Sequence, residues 1–145
     1  MDPRSAGPRI TRTSRAQICA ASRVARAGTS TTTATAGDQL GFVAVSSITY
    51  FGPVSIYMAR VPDNSDINTW EPAGNMRFKV AKISAVPSPN GGPLTSGEAT
   101  WPAYNRQLVE FTLPRTLPSG KYLVCVESIA LHQAQSPGGT QIYLS

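Results

Sequence analysis

Charge, sulfur and imidazole are all scarce in this sequence. Of its 145 residues, 14% are charged, two are cysteine and one is histidine. Cys19 and Cys125 lie too far apart for a zinc-ligand pattern, and sequence alone does not make them a disulfide. No stretch approaches the roughly 18 consecutive apolar residues of a membrane span, and residues 1–30 contain no apolar run suited to a secretory signal. The chain therefore reads as soluble, with no membrane partner. Acidic residues are scarcest at the start, where Asp2 alone stands against Arg4, Arg9, Arg12, Arg15, Arg23 and Arg26. That segment carries the whole net charge of +5, since the remainder holds seven basic and seven acidic residues. A formally neutral body offers no electrostatic footprint for a phosphate backbone, which argues against a nucleic-acid partner.

The length is that of one domain. Residues 1–28 read as a poorly matching basic leader, either disordered, a targeting segment, or the product of a mispredicted start. Past Gly28 the composition turns threonine-rich and then alternates between apolar and polar. Strands are expected over 31–36 and 39–45, around the Gly37-Asp38 turn, and over 54–61 after Gly52-Pro53. In 76–83, Met76, Phe78 and Val80 fall on one side and Arg77 and Lys79 on the other, the period of a half-buried strand. The run Pro87-Ser88-Pro89-Asn90-Gly91-Gly92-Pro93 is a surface loop, because proline removes backbone donors and glycine adds freedom. Further strands are expected over 108–113, 121–129 and 140–144. Six or seven short strands with no helical period indicate an all-β protein, an immunoglobulin-like antiparallel β-sandwich with long loops.

The last third is the most distinctive. Tyr122-Leu123-Val124-Cys125-Val126-Glu127-Ser128-Ile129-Ala130-Leu131-His132, followed by Gly138-Gly139-Thr140-Gln141-Ile142-Tyr143, resembles the C-terminal signature of the fungal family-nine lytic polysaccharide monooxygenases, formerly glycoside hydrolase family sixty-one. In the same order, Ala36-Gly37-Asp38, Gly52-Pro53-Val54, Tyr57-Met58-Ala59-Arg60-Val61-Pro62, Trp101-Pro102-Ala103-Tyr104-Asn105 and Phe111-Thr112-Leu113-Pro114 are similar to that family, so that the resemblance covers residues 29–145. It implies a secreted, extracellular, monomeric β-sandwich that works on cellulose or a related β-glucan. It further implies one copper ion, a reductant, and oxygen or peroxide, used to hydroxylate a carbon of the glycosidic bond. Two imidazoles and a terminal amine supply the three nitrogens of such a site, with a tyrosine oxygen in the axial direction. By that resemblance Tyr143 takes the axial position, while His132 and Gln141 fall on the pair beside the metal. Gln141 and Tyr143, two apart on one strand, point to the same face. Read without the resemblance, a strand tyrosine is usually core and a lone histidine usually structural.

The departures from the family are as informative as the matches. The family's mature chain begins with a copper-binding histidine, where this sequence begins Met1-Asp2-Pro3. The second histidine of the brace lies two residues before the Gly-Pro pair, where this sequence has Tyr50. Cys19 resembles a cysteine paired in the family with one just beyond the Gln-x-Tyr run, so the copy is expected to be C-terminally incomplete. Cys125 stands where the family usually has an arginine beside the site. The resemblance thus implies a copper-dependent, cellulose-cleaving family, while the residues imply a chain that binds copper poorly and is inactive. The alternative is a non-catalytic cellulose-binding or structural β-sandwich. Trp70, Trp101 and Tyr104 receive no binding role, since buried aromatics are the commoner outcome in a sandwich.

Overall fold

Strands form where the alternation is strongest, and the alternation decides which side of each is buried. The computed structural model describes residues 9–14, 30–44 and 46–144; Cys19, and any pairing of its thiol, lies outside them. The strands are β1 (Arg9–Ser14), β2 (Ser30–Thr35), β3 (Gln39–Val43), β4 (Val54–Val61), β5 (Phe78–Ile83), β6 (Leu108–Thr112), β7 (Gly120–Ala130) and β8 (Gln141–Leu144). Among the described residues no helix is long and apolar enough to cross a membrane. Strands β2 to β8 fall within a residue or two of the sequence expectation, while β1 forms inside the basic leader, where none was expected.

Six strands make one sheet in the order β2-β1-β7-β4-β5, with β8 also on β7, and β3 pairs β6 in a second sheet. All pairings are antiparallel except β1 with β7. The eleven-residue β7 is the spine. One edge pairs with β4 from Lys121 to Ser128. The other is divided, β1 taking Gly120–Leu123 and β8 taking Glu127–Ala130.

The core lies between the two sheets. Val54, Ile56 and Met58 of β4 meet Tyr122 and Val124 of β7, and Leu40, Val109, Phe111, Leu113 and Leu117 close over them from the second sheet and its flank. Each such fully buried apolar side chain contributes about 1.5–3 kcal/mol relative to exposure. On β6 the alternation is complete, with Val109 and Phe111 in and Leu108, Glu110 and Thr112 out. The expectation for residues 76–83 holds as far as Lys79: Phe78 pairs with the core residue Met58 and its ring meets Tyr122 edge to face at 6.4 Å, while Lys79 lies over the Tyr57 ring on the other face. A bulge between Ile56 and Tyr57 then shifts the β4–β5 register, so that Ala81 and Ile83 pair with the core residues Ile56 and Val54. An irregularity of this kind redirects side chains, and sequence periodicity does not register it. Met76 and Phe78 stay 46% and 39% exposed.

Tyr122 pins the start of β7. Its hydroxyl donates to the carbonyl of Pro118 at 2.9 Å, the corner contact common in immunoglobulin-like sandwiches. Burial pushes its phenol above the ordinary tyrosine value, and the nearby Arg60 cation opposes part of that rise. Trp101 is buried and donates its indole N–H to the Thr95 carbonyl at 2.9 Å, in keeping with a structural rather than a binding role.

Candidate functional site

The β4–β7 ladder does not stop where β4 begins. The amide of Ile129 donates to the Pro53 carbonyl and that of Leu131 to the Phe51 carbonyl, both at 3.0 Å. These bonds keep the register that pairs Val54 with Ser128, and so set Tyr50 directly opposite His132. Because the bonds involve the odd-numbered residues of each strand, Tyr50 and His132 form a non-hydrogen-bonded pair, the type whose side chains lie closest.

Local sequence explains how this extension is held. Gly52 has φ +152, and a Cβ there would run into the carbonyl oxygen of Ile129, so only glycine allows the strands this close. Phe51 packs against Trp101 and Tyr104, with ring centroids 6.3 and 6.4 Å away. Upstream, Ile48 exchanges backbone bonds with Asn105 and Arg106, continuing the course of β3 beside β6 and delivering the chain to Tyr50.

Strand periodicity then gathers the site. Tyr143 pairs with Ser128 and Gln141 with Ala130, so both share a face with His132 and Tyr50. This is the face that carries Tyr122 and Val124 into the core, but at this end Tyr50 and Tyr143 are 39% and 47% exposed. The Tyr50 and His132 rings stack with centroids 3.9 Å apart and planes 12° from parallel. Tyr143 lies 6.1 Å from Tyr50 at 22°. Its hydroxyl donates to Gln141 Oε1 at 2.6 Å. Among the described residues the buried His132 Nδ1 finds no hydrogen-bond partner.

All four candidates, Tyr50, His132, Gln141 and Tyr143, are therefore brought into one contiguous cluster. Cys125 is not. It pairs with Tyr57, one step out of phase with Val124 and Val126, and lies on the opposite face of the sheet from the cluster. The sequence-based placement of Cys125 beside the site is corrected by this parity. Gly52 and Phe51 were missed as positioning residues; the Gly52-Pro53 pair marked the position in the sequence, but their role depends on the pairing with β7, which no single strand reveals.

Next to the cluster a groove of about 420 Å³ opens between the sheets, its wall including Phe42, Ile48, Val126, Ser128, Tyr50 and Tyr143. Among the described residues no charged side chain lines it. Hydroxyls and aromatic rings without charge suit a neutral, hydroxyl-rich surface better than an ionic one. Among the described residues no group of three or more His, Cys, Asp or Glu side chains stands ready to hold a metal.

The model of Auxiliary Activity family 9 (formerly GH61) matches residues 2–145. A protein of Malbranchea cinnamomea named AA9 family lytic polysaccharide monooxygenase C is 39% identical over 113 residues, 78% of this chain and 46% of its own length. Its companion H from the same organism is 39% identical over 120 residues, 83% of this chain and 49% of its own. Lytic polysaccharide monooxygenase E of Thermothielavioides terrestris is 39% identical over 111 residues, 77% of this chain and 46% of its own. The chain spans about half the length of the curated relatives it matches.

Proposed function

The chain belongs to Auxiliary Activity family 9, and from that premise we propose that it is an extracellular, glucan-facing β-sandwich of that family which does not itself oxidise its polysaccharide. The family-level chemistry is copper-dependent oxidative cleavage of cellulose or a related β-glucan, driven by a reductant with oxygen or peroxide. Copper supplies the redox step in that chemistry, and the residues around it hold and orient the reacting groups. In this chain Tyr143, His132 and Gln141 are the residues that would flank such an ion, and Tyr50 stands where the resemblance puts a histidine ligand.

One observation carries the reading: Tyr50, His132, Gln141 and Tyr143 converge on one face at an open end of the sandwich. Their convergence supports common descent of the site, and their chemistry supports the loss of its reaction. Three nitrogen donors suit copper in both oxidation states, and at the internal position where the resemblance puts a histidine this chain has Tyr50, a phenol and not an imidazole. The uncharged groove supports contact with a neutral polysaccharide.

The test is paired. The copper-loaded protein is mixed with microcrystalline cellulose and scored for retention on the solid; a reductant and peroxide are then added, and the supernatant is searched by mass spectrometry for oxidised cello-oligosaccharides. Retention without oxidised products is the expected result. Reductant-dependent release of oxidised products restores the enzyme reading. Failure to adhere to cellulose or any other β-glucan leaves a structural sandwich.

A further inference from the structure

The sequence holds five asparagines, Asn64, Asn68, Asn75, Asn90 and Asn105. All five are exposed, so access to water does not set one of them apart. The residue that follows does. An asparagine carries an electrophile, its amide carbon Cγ, that can close a five-membered ring with the backbone nitrogen of the next residue. What crowds that nitrogen, and what holds the side-chain amide still, decides whether the ring forms. Ser65, Thr69, Met76 and Arg106 each place a Cβ beside the attacking nitrogen, whereas Asn90 is followed by Gly91. Glycine leaves the approach open and gives the backbone the freedom to reach it.

Local structure widens the difference. The side-chain amides of Asn68 and Asn105 are anchored, donating to Asp66 Oδ1 at 3.1 Å and to Glu98 Oε1 at 2.9 Å. Among the described residues the Asn90 amide has no such anchor. Pro89 and Asn90 are the centre of a β-turn, closed by a bond from the Gly91 amide to the Ser88 carbonyl at 3.0 Å. Gly91 has φ +68, a conformation that favours glycine, and a Cβ built there meets nothing within 4 Å. The backbone thus asks for a glycine after Asn90, at a point open to solvent. The bond to Ser88 acts as a brake, because it engages the nitrogen that must attack. That brake is weak: residues 86–96 are all exposed, and an exposed turn bond exchanges readily for one to water.

We propose that Asn90 is a site of spontaneous deamidation, set in place by the glycine that its own turn requires. The Gly91 nitrogen gives up its proton and bonds to Asn90 Cγ, the Cγ–Nδ2 bond breaks, and the amide nitrogen leaves as ammonia. Water then opens the cyclic imide. Addition at Cγ gives aspartate, and addition at the backbone carbonyl gives isoaspartate, with the main chain routed through the side chain. Nothing is oxidised or reduced. Either product places a carboxylate in residues 83–97, which hold no charged side chain. The step is irreversible, so the fraction converted records how long a molecule has been in solution. This inference goes beyond the glucan-facing reading and does not depend on it.

The experiment keeps the full chain in warm, mildly alkaline buffer, samples it over days, and digests each sample with pepsin at acid pH. Mass spectrometry follows the exchange of the amide nitrogen for oxygen at each asparagine, and a carboxyl methyltransferase that accepts isoaspartate counts the rearranged product. Asn90 should convert at least about tenfold faster than each of the other four, with isoaspartate among its products. Gly91→Ala crowds the attacking nitrogen and should slow conversion about tenfold. Its methyl meets no neighbour in the fold, so the slowing reports the ring closure itself.

Conversion of Asn75 or another asparagine ahead of Asn90 overturns the proposal. An unchanged rate in Gly91→Ala overturns it as well, as does a product that is aspartate alone, since direct hydrolysis of the amide makes no isoaspartate. If Gly91→Ala does not fold, the ranking of the five asparagines and the isoaspartate content of the unaltered chain decide the matter.

Discussion

The two ends of β7 share a strand, a sheet and a face, and have different fates. At the Tyr122–Val124 end, the side chains meet Leu40, Phe111 and Leu113 of the opposing layer and disappear from solvent. At the Ser128–His132 end the same face meets aromatic and amide groups, and Tyr50 and Tyr143 remain partly exposed. The cause is the reach of the second sheet, which among the described residues has only β3 and β6 to lay over a six-stranded partner. Where the cover is present, packing dictates apolar residues. Where it is absent, the face is free to carry chemistry, and the side chains there stabilise one another rather than the fold.

The sharpest way to break this contrast is a core truncation. Ile56→Ala removes a side chain with no solvent exposure and should cost about 2–5 kcal/mol in urea denaturation. A smaller loss, about 1–3 kcal/mol from backbone strain, is expected for Gly52→Ala, because the added methyl meets the Ile129 carbonyl. That variant should also erase the ring-current shift of the His132 protons in NMR spectra; if the shift survives, Gly52 is not what holds the two strands together.

Tyr122→Phe should cost about 1 kcal/mol at neutral pH through loss of the bond to Pro118. Its pH profile sharpens the comparison. The phenol of Tyr122 titrates higher in the folded than in the unfolded chain. The stability it contributes is therefore complete below the unfolded value of about 10 and is lost as pH rises through the folded value. Stability above pH 10 should fall less steeply in Tyr122→Phe. The smallest effect belongs to the open end: Tyr143→Phe removes an exposed hydroxyl bonded to Gln141 and should change stability by no more than about 0.5 kcal/mol. A loss as large as that of Ile56→Ala would show that the two ends of β7 are not different in kind.

Much of the sandwich was legible because binary patterning reports strands and their buried sides. Val109 and Phe111 alternate cleanly against Leu108, Glu110 and Thr112, and the expected strand over 108–113 appears as β6. The strand over Arg9–Ser14 was not legible, since its arginines and threonines carry no apolar alternation and its order depends on pairing with β2 and β7. The bulge beside Ile56 was equally invisible, being a property of two strands and not of one. For the site, the shared face of Gln141 and Tyr143 followed from their spacing, and His132 and Tyr50 were singled out by resemblance. Their mutual stacking was not, because it requires knowing which residue of one strand faces which residue of another.

That facing relation has a consequence for how the site can change. The facing of Tyr50 and His132 is set by a continuous ladder, with partners at Phe51, Pro53 and Val54, and not by a flexible loop. A substitution at position 50 changes what meets the histidine but leaves the meeting intact. A single inserted or deleted residue between Tyr50 and Val54 does the reverse, turning the same tyrosine to the far side of the sheet. In this segment the number of residues, with the glycine at position 52, fixes which position meets the histidine, and the side chain at position 50 decides only what is met.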